Sequence, residues 1–156
     1  MLNLPEKSLI IGLNRMKGGL MSIQHVNPGT LSKPTGYSHV IKDGNTVYIA
    51  GQVARDRNGK TVGLGDAKAQ AEQVFNNLEA ALASVGGNLS DIVKANVFMT
   101  HREDIPAYRE ARAKYLSNDN PPVSTLILCS GLADPDFRIE IEAIAICKRK
   151  TTRTTV

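Results

Sequence analysis

Short segments rich in β-branched and alternating apolar residues predict five strands. They cover residues 37–42, 45–52, 92–100, 123–129 and 137–146. The pair Asp43-Gly44 separates the first two segments, and such a pair is typical of a two-residue hairpin turn whose central positions both need positive φ. In the third segment, the alternation places four apolar residues on one face: Val93, Ala95, Val97 and Met99.

Apolar residues spaced three and four positions apart predict two helices. The first covers residues 66–85, with Asp66 as its N-cap and Gly86 just after its end. The second covers residues 104–117, and Pro106 lies in its first turn, where the missing N–H costs no hydrogen bond.

The order of these elements, β-β-α-β-α-β-β, predicts an α+β fold with one mixed sheet and both helices on one face. Each helix joins two strands, which allows parallel pairs, and two hairpins supply antiparallel pairs. The last strand, residues 137–146, is apolar on both sides, so both of its faces should be buried. Because two helices cannot cover both faces, we expect other copies of the chain to cover the second face in a homo-oligomer.

The composition narrows the class of protein. The chain has 156 residues, of which 42% are hydrophobic, enough for one domain with its own core. No apolar run approaches the roughly 18 residues of a membrane span. The two cysteines, Cys129 and Cys147, cannot form a disulfide framework or a zinc ribbon, and we interpret them as buried strand residues.

The net charge of +4 is concentrated at the two ends of the chain. Residues 21–147 have 12 basic and 14 acidic side chains, which argues against a nucleic-acid-binding domain. We therefore predict one domain at 21–147 and a solvated basic C-terminal tail at 148–156. Residues 1–20 are predicted to be an N-terminal extension that is disordered or precedes the native start. Without a targeting signal, the expected location is the cytoplasm.

Two carboxylates, Glu140 and Glu142, share one face of the apolar last strand. A carboxylate in such a strand is unusual, and one role for it is to move a proton or to position a water molecule in a cleft. The alternative is an edge or interface ion pair with Arg138 or Arg109. The sequence leaves both interpretations open.

Other polar residues give weaker indications. Ser124 and Thr125 open a strand after two prolines, where hydroxyls and free N–H groups can hold an oxyanion or a water molecule, although turns have the same composition. The three histidines, His25, His39 and His101, lack metal-ligand spacing, so no metal site is expected.

Several motifs together resemble the RidA (YjgF) family over residues 24–147. They are Tyr37 after a Lys-Pro-Thr-Gly segment, the strand end Ala50–Val53, residues 69–78, Asp91–Lys94, Pro121–Thr125 and Ile139–Ala145. The resemblance implies a chorismate-mutase-like fold with a mixed six-stranded sheet, and a homotrimer whose sheets form a central barrel with sites in the clefts between subunits. It also implies hydrolysis of enamines and imines, such as 2-aminoacrylate, to 2-keto acids and ammonia without a cofactor.

The resemblance assigns roles to individual residues. Tyr37 and Gly51 match positions that line the family's substrate site. Glu140 matches the glutamate that positions or activates water. Ser124 and Thr125 directly follow the position of the family's carboxylate-binding arginine, and we expect them to belong to the catalytic site.

Two positions depart from the family pattern. Val123 stands where the family has the carboxylate-binding arginine, and Arg109 stands where the family archetype has an asparagine. A valine offers no hydrogen-bond donor, so the substrate is predicted to differ from 2-aminoacrylate. Arg109 could supply the missing charge, and both residues are candidates for substrate binding.

Three functions are compatible with these residues. The leading hypothesis is an imine or enamine deaminase whose substrate lacks the carboxylate or binds it elsewhere, with a small molecule as partner and neither a membrane nor nucleic acid. The second is a non-catalytic trimer that binds a metabolite or acts as a chaperone, which the loss of the arginine favours. The third is an endoribonuclease or translation inhibitor, against which the acidic charge of residues 21–147 argues.

Overall fold

The computed structural model describes residues 23–148, which form one mixed sheet of six strands and two α-helices. The strands are β1 (Gln24–Val26), β2 (Val40–Asp43), β3 (Thr46–Val53), β4 (Ile92–Met99), β5 (Val123–Leu128) and β6 (Ile139–Ile146). The helices are α1 (Ala67–Ala83) and α2 (Ile105–Tyr115), and none in the described range is long and apolar enough to cross a membrane. The α+β prediction is confirmed. The predicted extension at 1–20 and all but the first residue of the predicted tail at 148–156 lie outside the described residues.

The strands are ordered β1-β2-β3-β6-β4-β5 across the sheet. As predicted, α2 connects a parallel pair, β4 and β5. The second predicted hairpin is wrong, because β6 pairs antiparallel with β3 and β4 and not with β5. With apolar side chains on both sides, β6 suits a central position in the sheet. Strand β1, which the sequence reading missed, has three residues and only one that is not exposed, so it carries no apolar pattern.

The first predicted hairpin is confirmed, with a different turn. Asp43 pairs with Thr46, which leaves Gly44 and Asn45 as the two central residues. Of these two, only Gly44 has a positive φ, at 59°. This pattern is that of a type II′ turn, which needs glycine at its first central position only. The prediction that Asp43 and Gly44 are the central residues is therefore wrong by one position.

Helix α1 begins and ends close to the predicted bounds. The Asp66 carboxylate accepts hydrogen bonds from two N–H groups of the first turn, both at 3.0 Å. After the last turn, Gly86 takes a φ of 79°, a conformation that favours glycine. Helix α2 packs beside α1, and the ring of Phe75 stacks on that of Tyr115 with centroids 5.0 Å apart.

The two faces of the sheet differ in how they are covered. Four residues of β6 are buried on the helical side: Ile139, Ile141, Ala143 and Ala145. The alternate residues of β6 lie on the opposite face, as predicted, and Glu142 and Ile146 are exposed there. Within residues 23–148, the predicted burial of both faces of β6 is thus seen on the helical side only. On β4, Val93 is exposed, contrary to the prediction, because a bulge between Ile92 and Lys94 breaks the alternation.

The face turned away from the helices, which we call the open face, carries large apolar side chains. Tyr48 on β3 and Val123 on β5 are 48% and 68% exposed. A shallow depression of about 340 Å³ on this face has Tyr48, Lys94, Glu142 and Ile144 in its lining. Apolar patches with a polar rim are typical of protein–protein interfaces.

Candidate active site

Glu140 lies on the open face of β6 and is half-buried. Within residues 23–148, its carboxylate forms no ion pair. The two arginines considered as partners are placed elsewhere, since Nε of Arg138 donates to Oδ2 of Asp104 at 2.6 Å and Arg109 is exposed on α2. The described chain therefore does not contain the ion pair that would explain Glu140 structurally.

The two neighbouring carboxylates of β6 are in unequal environments. Partial burial raises the pKa of Glu140, and the negative charge of Glu142 raises it further. Glu142 is exposed and accepts a hydrogen bond from Nδ2 of Asn96 at 2.7 Å. A carboxyl group with a raised pKa can exchange a proton closer to neutral pH, as a general acid or base must.

Gly51 makes room for the Glu140 carboxylate. The register between β3 and β6 shifts between Ile49 and Gln52, which places Gly51 at the irregularity. A Cβ at position 51 would lie 2.7 Å from Cδ of Glu140 and would overlap its Oε1. Since the φ of Gly51 is not positive, glycine is needed here for space. The structure thus brings together two residues that the resemblance assigned to the site.

Tyr37 lies in the loop before β2 and lines a small cavity together with Gly51. Its ring is half-exposed and meets the ring of His39 edge-on, with centroids 5.3 Å apart. His39 is buried, and its Nε2 lies 2.8 Å from the carbonyl oxygen of Ser32. A small cavity of about 30 Å³ has Tyr37, His39, Gly51 and Arg55 in its lining. The buried histidine thus supports the tyrosine beside this cavity.

The remaining predicted site residues are distant from Glu140 within one chain. Val123 pairs with Lys94, which pairs with Ile144, four positions along β6 from Glu140. At about 3.3 Å per residue and about 4.8 Å between strands, Val123 and Glu140 are roughly 16 Å apart. Ser124 and Thr125 follow Val123 on the same edge strand, and both are exposed.

Arg109 is also separated from the glutamate. It belongs to α2, which lies in the helical layer, whereas Glu140 faces away from that layer. The described chain therefore assembles one part of the predicted site, formed by Tyr37, Gly51 and Glu140. It leaves Val123, Ser124 and Thr125 at the far edge of the sheet, on β5, and Arg109 in the helical layer.

Comparison with known proteins identifies the family. A family model described as Endoribonuclease L-PSP matches residues 30–147. The chain belongs to this family, which is the RidA family that the motifs resemble. The crystal structure of RidA from the Antarctic bacterium Psychrobacter sp. superposes with a TM-score of 0.74 at 34% identity and covers 79% of this chain and 98% of its own. The resemblance stated from the sequence is confirmed.

Two relatives of this RidA-family chain have informative names. A protein of Dermatophagoides farinae named 2-iminobutanoate/2-iminopropanoate deaminase is 32% identical over 117 residues, which is 73% of this chain and 88% of that protein. A protein of Acinetobacter baylyi named 3-aminoacrylate deaminase RutC is also 32% identical over 117 residues, which is 75% of this chain and 91% of that protein.

Arg55, which the sequence analysis did not single out, lies beside two of the candidate site residues. Arg55 follows β3 directly and lines the small cavity together with Tyr37 and Gly51. Its backbone carbonyl accepts a hydrogen bond from Nδ2 of Asn77 at 3.0 Å, which ties the loop to α1. The sequence places three cations within residues 55–60, but charged loop residues are usually solvated, so their presence alone does not indicate a site.

Residues 23–148 contain no cluster of three or more histidine, cysteine, aspartate or glutamate side chains that could hold a metal ion. Of the two free cysteines, Cys147 is buried and Cys129 is half-buried. Burial raises the pKa of the Cys147 thiol, which makes it a poorer nucleophile. The interpretation of both cysteines as strand residues is only partly correct, because each lies just after the end of its strand.

Proposed function

We propose that this protein is an imine or enamine deaminase that hydrolyses a reactive C=N compound to a carbonyl compound and ammonia. The observation that carries the proposal is the half-buried Glu140 carboxylate, which has no ion-pair partner in the described chain and lies beside Gly51. The names of two relatives, an iminobutanoate deaminase and an aminoacrylate deaminase, support the same reaction class.

The chemistry requires one group that can both accept and return a proton. Glu140 would take a proton from a water molecule as the water oxygen bonds to the imine carbon. The C=N bond then becomes a C–N bond, and Glu140 passes the proton to the nitrogen, which gives a neutral carbinolamine. When the carbinolamine collapses, Glu140 moves the hydroxyl proton to the nitrogen, a C=O bond forms, the C–N bond breaks and ammonia leaves. A carboxyl group with a raised pKa is suited to both proton transfers. An enamine would first be protonated at carbon to give the imine.

We infer that the active form is a homotrimer whose open faces form a central barrel. The uncovered apolar side chains of Tyr48 and Val123 support an interface there, since water contact with such residues is unfavourable. In the cleft between copies, Tyr37, Gly51 and Glu140 of one subunit would lie opposite residues of the partner subunit. The residues that the partner subunit contributes would be Val123, Ser124, Thr125 and Arg109 of the partner subunit. The hydroxyls of its Ser124 and Thr125 would bind the attacking water or the developing oxyanion.

Val123 supports a substrate that differs from 2-aminoacrylate. Its exposed isopropyl group presents no hydrogen-bond donor, so a carboxylate placed against it would lose its partners in water without gaining new ones. The substrate either lacks a carboxylate or places it against another residue. We further propose that the protein acts in the cytoplasm without a cofactor.

Val123 also favours a second candidate function. Replacement of a carboxylate-binding group by an apolar one is compatible with a trimer that binds a metabolite without converting it, or that acts as a chaperone. The ribonuclease activity in the name of the family model is the third candidate. We place it last, because residues 21–147 carry more acidic than basic side chains.

The deciding experiment measures ammonia release from freshly generated imines, with and without a carboxylate, by the wild type and Glu140→Gln. We expect turnover of at least one imine class by the wild type and a large loss in Glu140→Gln. The matched control is Glu142→Gln, which removes the neighbouring carboxylate of the same strand and should keep most of the activity. A wild type that remains oligomeric and releases no ammonia from any imine would instead support the metabolite-binding function.

A further inference from the structure

A depression lined by cations adjoins the Tyr37 side of the site. It has a volume of about 270 Å³, and three basic side chains, Lys33, Arg55 and Arg57, line it together with Tyr37. No carboxylate is among its lining residues. Three positive charges around one concave surface, with no acid in its lining, favour the binding of an anion.

The nearest acidic side chains are directed to other contacts. Oδ1 of Asp56 accepts hydrogen bonds from the backbone N–H groups of Asn58 and Lys60, at 2.8 and 2.9 Å, so this carboxylate closes its own loop. Asp134 approaches Nη2 of Arg55 only to 3.5 Å, the limit of a hydrogen bond. The positive charge around the depression is therefore only weakly compensated within the described chain.

Arg55 is held in place while most of its donors remain free. Its guanidinium lies over the ring of Phe137, 4.9 Å from the centroid, and its Nε is buried with no hydrogen-bond partner among residues 23–148. A guanidinium has five N–H donors in a rigid plane, and the side chain of Arg55 uses one of them, in the long contact with Asp134. The Nη donors of a guanidinium fixed in this way are suited to an anion that enters the depression.

The depression adjoins the small cavity beside Gly51. Tyr37 and Arg55 line both the depression and that cavity. A Cβ at Gly51 would overlap Oε1 of Glu140, so the cavity lies next to the glycine that accommodates the Glu140 carboxylate. Arg55 follows the end of β3, two positions after Val53, which is the register partner of Glu140.

We infer that Arg55, with Lys33 and Arg57 around it, binds the carboxylate of an anionic imine substrate. This inference rests on the proposed deaminase function and names its substrate class. It places the carboxylate-binding charge on the loop after β3, in the same chain as Glu140. Position 123 could then become apolar without loss of substrate recognition. It also replaces the sequence-based suggestion that Arg109 supplies this charge.

The test compares two substrates and two arginine variants. The measured quantity is kcat/KM for a carboxylated imine divided by kcat/KM for an uncarboxylated one. We expect Arg55→Gln to lower this ratio by about 10- to 100-fold, mainly through KM, because a charge-assisted hydrogen bond to the substrate is lost. Arg55→Lys should lower it less, since it keeps the charge but not the planar donor pair. Lys60→Gln, from the same loop, is the control for a general charge effect.

A binding measurement separates failure of this inference from failure of the proposed function. Isothermal titration with 2-oxobutanoate, a stable keto acid, requires no turnover. Weaker binding to Arg55→Gln than to the wild type supports the inference even if no imine is hydrolysed. Equal binding by the two proteins, or a selectivity loss in Arg109→Gln and not in Arg55→Gln, would overturn it. Melting temperatures of all variants control for misfolding, and a folded Arg55→Lys keeps the test valid if Arg55→Gln does not fold.

Discussion

The Glu140 carboxylate occupies the volume that a side chain at position 51 would fill, so Gly51 and Glu140 form one structural unit across β3 and β6. The shift of register at Gly51 leaves space next to the backbone, and the carboxylate uses that space without an ion pair in the described chain. The position of the proposed proton carrier thus depends on the absence of one Cβ atom.

Gly51→Ala should disturb the position of Glu140. The added methyl group overlaps Oε1, so the carboxylate must rotate away or the strands must separate. Because the overlapping atoms are the end of a flexible side chain, we expect the carboxylate to turn aside at a cost of about 1 kcal/mol. A displaced catalytic group should also lower kcat/KM by about 100-fold. Chemical denaturation and ammonia release measure the two effects.

The control for this variant is Gly131→Ala, because a Cβ at Gly131 meets no atom within 4 Å. In a Glu140→Ala background the overlap is gone, and Gly51→Ala should then cost little stability. If Gly51→Ala were as destabilising in the Glu140→Ala background as in the wild type, the two side chains would not be coupled.

The acid limb of the pH–activity profile should lie above the usual glutamate range. Burial raises the pKa of Glu140, and the base form that attacks through water appears only above that pKa. Because Glu142 contributes to the shift, Glu142→Gln should move the limb to lower pH while activity is retained. Profiles of kcat/KM for both proteins test this, and an unchanged limb in Glu142→Gln would contradict the assignment.

Glu140→Gln should stabilise the folded protein at neutral pH. Burial raises the pKa of Glu140 in the folded state above its value in the unfolded chain. As the pH rises from the unfolded-state pKa through the folded-state pKa, ionisation of this carboxyl group therefore lowers the stability of the wild-type protein. At pH values below both, the wild type and Glu140→Gln should have the same melting temperature, and the difference should appear as the pH rises. A variant that melts below the wild type at pH 7 would indicate that Glu140 has a stabilising partner.

Tyr48→Asp should disrupt the proposed assembly. Tyr48 is half-exposed on the open face, and an aspartate there would place an unpaired charge in the interface. We expect monomers by size-exclusion chromatography with light scattering. Leu64→Asp is the matched control, because Leu64 is 65% exposed but lies in the loop before α1. If the wild type were itself monomeric, the trimer proposal would be wrong.

Asp66→Ala should lower the free energy of unfolding by about 1 kcal/mol through loss of the N-cap. The Asp66 side chain satisfies two N–H groups that otherwise have no partner in the helix. Glu79→Ala removes an exposed acidic side chain of the same helix and should change stability by no more than about 0.5 kcal/mol. Equal effects of the two substitutions in urea denaturation would argue against the cap.

The local pattern of the sequence determined most of the secondary structure. The 3.6-residue period of a helix and the two-residue period of a strand depend only on residues a few positions apart in the chain. The pattern predicted the bounds of α1 closely and the division of β6 into two faces, with Glu140 and Glu142 together on one of them. It failed at Val93, since a bulge depends on the partner strand and leaves no mark in the alternation. The family resemblance added the site residues, among them Tyr37 and Gly51.

Only the tertiary structure decided which distant residues meet. The insertion of β6 between β3 and β4 brings Glu140 beside Gly51, 89 positions earlier in the chain. The same packing leaves Val123 on the far edge of the sheet and gathers Lys33, Arg55 and Arg57 around one depression. Strand order and loop packing depend on contacts between segments far apart in sequence, whereas periodicity reports only on residues a few positions apart.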